Sequence, residues 1–433
     1  MTSTAPERAL VRGIPQGDLI AFAINAVIGA GVFGVPAVLY ARVGSMSILA
    51  ILLAALIVSF ITLCFAEVGS AFQETGGPYL YALTTFGPAV GFEIGWLLWV
   101  ARLFGFAAVL NLFLNYATYL VPALEQGAAR HLTAVLVVLA LTAINLLGVR
   151  GAARISTILT IGKLIPLGLF ILVGMSFVSG SRIFPLNSVP PLSLWSAVLL
   201  AIYAFSGFEI LAIPGGEIKN PGRAIPFALL TALVVVAIVY IGVQVVAVGT
   251  LPGLGSSARP LADAAMVHLG KTGATVMVIG AVISTLGVAH TIVLAAARLP
   301  FAMAERGQLP PLFAAVHQRF RTPWVGIVVS NICMLIFTFS STFTSAATFT
   351  VEIRVLTYLV TCAALPVLRR RPGARSGFRV WGGDAVAGMS VLICLALILS
   401  RPAGELKQLA IAVALGGAGY LLLARRPPSA VNQ

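Results

Sequence analysis

Ionisable side chains are scarce in this chain, and several of them lie inside apolar stretches. Lys163 in ILTIGKLIPLGLF, Glu209 in FSGFEI, Arg102 in WVARLFGF and His290 in GVAHTIVL are all flanked by apolar residues. A charge placed in hydrocarbon is costly, so such groups face a cavity or a partner and commonly mark an ion, proton or substrate pathway. Glu209 follows a Gly-Phe pair and can cap free N–H groups beside it, carry a proton or meet a cationic group. Arg102 requires a partner at its depth, from Glu93, Glu209, backbone carbonyls or a substrate. His290 is either a satisfied core histidine or a site or proton-relay group. Lys163 lies near the end of its run, where a lysine can snorkel to the interface. An embedded enzyme using His290 and Glu209 as acid and base lacks a nucleophile or a metal-ligand cluster. No GxxxxGK[ST] signature is present, so any transport draws on a gradient rather than on ATP.

Two stretches must position these groups. The first, Ala21 to Ala37, reads AFAINAVIGAGVFGVPA and carries Gly29, Gly31, Gly34 and Pro36 inside a run long enough to cross a bilayer. Gly weakens a helix and Pro removes one of its bonds, so this span is expected to break partway. Open backbone cannot face lipid and must line a cavity or coordinate something. The free N–H groups of the second half-helix then offer a site to a carboxylate. Close helix packing through small residues is the competing reading. The second stretch, AIYAFSGFEILAIPGGEIKNPGRAIP, again carries Gly and Pro in an apolar run. Gly29 matches Gly207 and Pro36 matches Pro214, each pair 178 residues apart. That offset is about five spans, and an odd number reverses orientation, so the pair reads as the interrupted helices of two inverted halves.

The chain has 433 residues, 59% of them hydrophobic and 9% charged, which excludes a soluble protein. Hydropathy gives twelve spans: roughly 17–41, 45–66, 88–121, 132–149, 155–179, 193–216, 225–250, 274–303, 323–341, 346–367, 385–400 and 406–424. The third of these is the longest. The first is too long for a signal-peptide core and is read as retained. With the N-terminus inside, sixteen loop Lys and Arg fall inside, from Arg8 and Arg12 to Arg425 and Arg426. Seven fall outside: Arg42, Arg130, Arg182, Arg259, Lys271, Arg401 and Lys407. This excess supports cytoplasmic termini and explains the net charge of +14 without nucleic acid. Glu352 and Arg354 read as a structural or gating pair, and Glu217, Lys219 and Arg223 as loop charges. Cys64, Cys333, Cys362 and Cys394 are scattered in apolar runs and read as small core residues.

Four motifs in order, IGAGVFGVPA, ETGGPYLYALTTFG, FSGFE with GGEIKNPGRAIP, and ARLPFAMAERGQLPPLFAAVH, resemble those of the amino acid–polyamine–organocation transporters. The resemblance runs from about residue 15 to residue 330. It implies one transport domain, an all-α membrane protein of twelve transmembrane helices. Its fold would be the LeuT-type 5+5 inverted repeat with discontinuous helices 1 and 6. The repeats would cover about 17–180 and 193–368, with two further helices at about 385–424. The resemblance further implies alternating access and an amino acid or amine substrate in a bacterial inner membrane. The substrate carboxylate would meet backbone N–H groups at the first break and its amino group carbonyls at both. By position these are Val27, Ile28, Gly29, Ala30 and Gly31 with Phe205, Ser206 and Gly207; Tyr203, Phe205 and Phe208 would cover the substrate. Lys163 stands where proton-coupled relatives carry a lysine in place of sodium. Proton-coupled uptake through Lys163 or Glu209 is therefore expected, with no cofactor beyond the proton motive force. An amino acid/amine exchanger is the first alternative. A sodium symporter using Ser284 and Thr285 is another, and a channel or sensor on the same fold a third. Apolar neighbours favour a neutral amino acid, whereas an exposed Glu209 would admit a cationic one.

Overall fold

The computed structural model describes residues 16–72, 76–147, 152–184, 188–212, 221–371 and 377–423, and all regular structure in them is helical. The sequence dictates most helix ends. α1 (Gln16–Val27) and α2 (Ala30–Val43) are separated at the glycines of the first motif. α3 (Ser47–Ala71) and α4 (Gly77–Phe86) follow. Gly87, at φ 93°, turns the chain into α5 (Pro88–Ala117), whose leading proline occupies a position where its missing N–H costs nothing. Next come α6 (Ala128–Leu147), α7 (Ala152–Gly174), the short α8 (Gly180–Ile183) and α9 (Pro191–Phe205). α10 (Pro221–Thr250), α11 (Pro260–Glu305), α12 (Trp324–Ser340), α13 (Phe343–Arg369), α14 (Gly383–Leu399) and α15 (Ala403–Leu423) complete the chain.

Eight helical stretches are long and apolar enough to cross a membrane, the first being the 53 residues Leu19–Ala71. Shorter apolar helices occur at Gly162–Phe177, Trp324–Ser340 and Gly383–Leu399. The chain is thus a multi-pass membrane protein, with large apolar side chains such as Leu172 and Leu422 left on its outside for lipid. α11 covers 46 residues but is two helices that meet at Gly270, whose φ of 66° and ψ of −163° are not helical; its second part falls on the eighth expected span, 274–303.

α5 forms the central post, packing on α4, α11, α12, α13 and α15. Opposite it, α1 packs on α7 and α10, α2 on α9, and α3 on α9 and α10, so the interrupted helices are enclosed from both sides. Two buried ionic ties hold this frame. Arg369 of α13 donates to both Glu67 oxygens of α3 at 2.7 Å, and the Val380 N–H adds a third bond to Glu67 at 2.7 Å. Glu352 does not pair with Arg354; it accepts from Arg401 Nε at 3.0 Å, while Arg401 also binds Ser196 and Glu405. The two side chains are only two residues apart on a helix and so cannot face each other. Arg42 and Arg401, read as outer-loop charges, both converge on Ser196 Oγ of α9, at 2.7 and 3.0 Å. Cys64, Cys362 and Cys394 are buried in the frame and Cys333 is half-buried, as expected of core thiols. Pro214, Glu217 and Lys219 lie outside the described residues, as do the loop cations Arg8, Arg12, Arg150, Arg375, Arg425 and Arg426 and the side chain of Arg154.

Candidate functional site

The first break falls where the glycines begin. Ile28 N–H still donates to Ile24 O at 2.8 Å, but Gly29 adopts φ −134° and ψ −136°, and α2 restarts at Ala30. Carbonyls at the end of α1 lose their helical donors, and two side chains replace them. Lys163 Nζ of α7 donates to Ile28 O at 2.6 Å and Asn25 O at 3.3 Å. Tyr240 of α10 places its hydroxyl 2.9 Å from Val27 O and 2.9 Å from Ala204 O, spanning both interrupted helices. Lys163 is 2% exposed, so it does not snorkel; its ammonium is spent on the break itself.

At the second break α9 stops at Phe205, Ser206 is extended and Gly207 turns with φ 120°. A Cβ at Gly207 would lie 2.3 Å from Ala26 O, and one at Gly31 would lie 2.5 Å from Ala204 Cα. Both glycines are therefore required, one for its conformation and both for the contact that brings the two breaks together. Beyond Gly207 a single 3-10 turn, Phe208–Ala212, continues the span.

Between the breaks lies a cavity of about 60 Å³. Of the residues expected at the site, Val27, Gly29, Ala30, Gly31, Tyr203, Ser206 and Gly207 line it. Ile28 contributes its carbonyl to Lys163 instead. Phe205 turns to Tyr240 in an edge contact at 5.0 Å, and Phe208 packs between Phe65 and Tyr358 at 5.2 Å each. The rest of the wall includes Gly105 and Val109 of α5 and Val288 and Thr291 of α11. These could not be placed from sequence because their approach depends on helix crossing rather than on a local motif.

Arg354 also belongs to the cavity wall, and the ionisable groups around it are already partnered. Glu209 Oε1 meets Arg354 at 2.5 Å; its Oε2 accepts from Gly207 N–H at 2.9 Å and from the Tyr358 hydroxyl at 3.1 Å. Glu209 therefore caps its own half-helix and also binds a cation. Arg102 lies against a smaller space that Glu209 and Arg354 also line, and donates to Ala295 O of α11 at 3.2 Å, the backbone partner considered for it. His290 lies outside the cavity wall, half-buried, with Nδ1 3.3 Å from Asn145 Nδ2. Thr285 Oγ1 donates to Ala281 O at 2.7 Å within its own helix.

Residues 16–414 match the sequence model of a family described as amino acid permease. The chain belongs to that family. It is 28% identical to the methylthioribose transporter of Bacillus subtilis (strain 168), covering 98% of this chain and 96% of that protein. It is 30% identical to the serine/threonine exchanger SteT of the same organism, covering 80% and 81%. With the branched-chain amino acid permease BcaP, also of Bacillus subtilis, it shares 25% identity over all of this chain and 97% of the other. The amino acid–polyamine–organocation resemblance is thereby shown, and the chain is a membrane transporter of the permease type.

Proposed function

We propose that this permease is a secondary active transporter that takes up an amino acid together with a proton by alternating access. The observation that carries this reading is the Lys163 ammonium on Ile28 O and Asn25 O at the first break. The adjoining start of α2 would hold the substrate carboxylate, so proton loading and substrate binding act on the two sides of one break. With its proton, Lys163 ties α1 to α7 and compensates the partial negative charge of the α1 carbonyls. Without it, that tie weakens and α1 is freer to swing, which releases the cargo. The substrate carboxylate would take the N–H groups of Gly29, Ala30 and Gly31 and its amino group carbonyls near Ser206 and Gly207, once the cavity of about 60 Å³ that these residues line widens to admit it.

The finer architecture belongs to the same proposal. Counting Leu19–Ala71 as two crossings and adding the three shorter apolar helices gives twelve spans, compatible with a LeuT-type inverted repeat. Both termini would then face the cytoplasm of a bacterial inner membrane, with α2 ending outside. The second reading is exchange, favoured by the similarity to a serine/threonine exchanger. Counterflow against preloaded amino acid separates the two. Uptake that follows an imposed pH gradient without sodium supports symport, whereas flux that needs internal substrate and ignores the gradient supports exchange. Neutral amino acids are the proposed cargo, because Glu209 is engaged by Arg354 and Tyr358 and is unavailable to a cationic side chain.

A further inference from the structure

Two larger cavities, about 400 and 290 Å³, lie at the end of the molecule where α5 stops and α13 begins. They share Asn115 and Arg130. Their sizes approach or fall within the roughly 300–1,000 Å³ of ordinary small-molecule sites, whereas the central cavity is far smaller. Phe343 lines the second of them and meets Tyr203, a wall residue of the central cavity, edge-on at 6.1 Å. The Phe343–Tyr203 pair thus joins a wall of this outer vestibule to a wall of the central cavity.

The charges in this vestibule are unequally matched. Arg259 pairs with Asp263 at 3.7 Å and lies over the Tyr119 ring. Asp263 also accepts from Ser257 Oγ at 2.6 Å. Arg130, in contrast, forms no ion pair among the described residues. Its guanidinium reaches Asn115 Oδ1 at 2.9 Å, and Asn111 Oδ1, Asn111 O and Leu124 O only at 3.4–3.5 Å, all neutral oxygens. Three of these contacts are long for hydrogen bonds, so a five-donor fork is left underused beside an open cavity. Carboxylate is the group whose geometry fits that fork. Glu125 is exposed on the same cavity and supplies the opposite charge.

We infer that Arg130 and Glu125 form an outer docking site for a zwitterionic amino acid, which is held there before Phe343 and Tyr203 admit it. Arg130 takes the α-carboxylate and Glu125 faces the α-ammonium. This rests on the transport reading above. Arg130 is a positioning residue for entry and does not touch the central site.

Initial uptake of labelled L-leucine and L-serine into proteoliposomes tests the site, comparing wild type with Arg130→Gln, Arg130→Lys and Glu125→Gln. Arg130→Gln should raise KM about tenfold with kcat within about twofold, the loss of one charge-assisted contact. Arg130→Lys should fall between, and the rise in wild-type KM with added salt should shrink in Arg130→Gln. Glu125→Gln should raise KM severalfold and provides the test if Arg130→Gln does not insert. Unchanged KM in the Arg130 and Glu125 variants, or a loss of kcat at constant KM, would overturn the site while leaving transport standing. Absence of uptake of a labelled mixture of neutral amino acids, these two included, by the wild type would instead remove the transport reading and this site with it.

Discussion

Lys163 and Tyr240 carry the site at the scale of single residues, because each supplies a donor that the broken helices lack. Removing the Lys163 ammonium leaves Ile28 O without its 2.6 Å partner. Lys163→Ala should cut gradient-driven uptake by about tenfold or more, given the worth of a buried charge-assisted bond. Tyr240→Phe removes one hydroxyl that spans Val27 O and Ala204 O and should lower kcat about fivefold, as expected for a neutral hydrogen bond. Steady-state uptake in proteoliposomes measures both, and an unaltered rate in Tyr240→Phe would show that the bridge is dispensable. Gly207→Ala faces strain of about 1–3 kcal/mol from its backbone conformation in addition to the clash with Ala26 O. That variant should show little folded protein by size-exclusion chromatography. Much of this was legible in the chain: Lys163, the glycines and Glu209 announce themselves as anomalies in apolar runs. Tyr240 did not, since a tyrosine near the middle of a long apolar helix is ordinary until its distant carbonyl partners are known.

The interrupted helices show at the level of elements how short-range sequence sets a long-range device. Gly29 and Gly207 stand where the backbone opens, and it was their match at a spacing of 178 residues, more than glycine content alone, that pointed to both breaks. Pro36 was an uncertain guide, for it sits inside α2 without ending it. Pairing between helices was less readable. Glu352 and Arg354 look like partners in sequence, yet the helix turns them apart, to Arg401 and Glu209 respectively. The Glu67–Arg369 tie between α3 and α13 is likewise invisible until the fold brings residues 302 positions apart together. Breaking it leaves a buried carboxylate without its cation, a cost of about 3–5 kcal/mol. Arg369→Ala should therefore lower the thermal midpoint of the detergent-solubilised protein clearly. A melting curve unchanged from wild type would show that solvent already compensates Glu67.

On the scale of the whole molecule, the post built on α5 and the group around α1, α2, α9 and α10 meet at one contracted cavity. The wider cavities among the described residues lie toward the α2 end, so the proposed route runs from these through the aromatic pair to the breaks. On the proposed transport reading the Glu209–Arg354 pair, whose arginine lines the cavity, would separate or move as a unit when the opposite side opens. The membrane character of the chain was plain from hydropathy, because lipid imposes the same apolar length on every crossing. Short flanking helices were not, as the segment of α11 before Gly270 shows, for no span was expected there.

Coupling of amino acid movement to protons through Lys163 is the central claim. Its most direct test is uptake of a labelled amino acid mixture into proteoliposomes with an inward-acid pH gradient and no sodium, for wild type and Lys163→Ala side by side. The wild type should accumulate substrate above the external concentration and Lys163→Ala should not, while both retain the same elution profile. Equal accumulation by the two proteins, or flux seen only against preloaded amino acid and indifferent to the gradient, would contradict it.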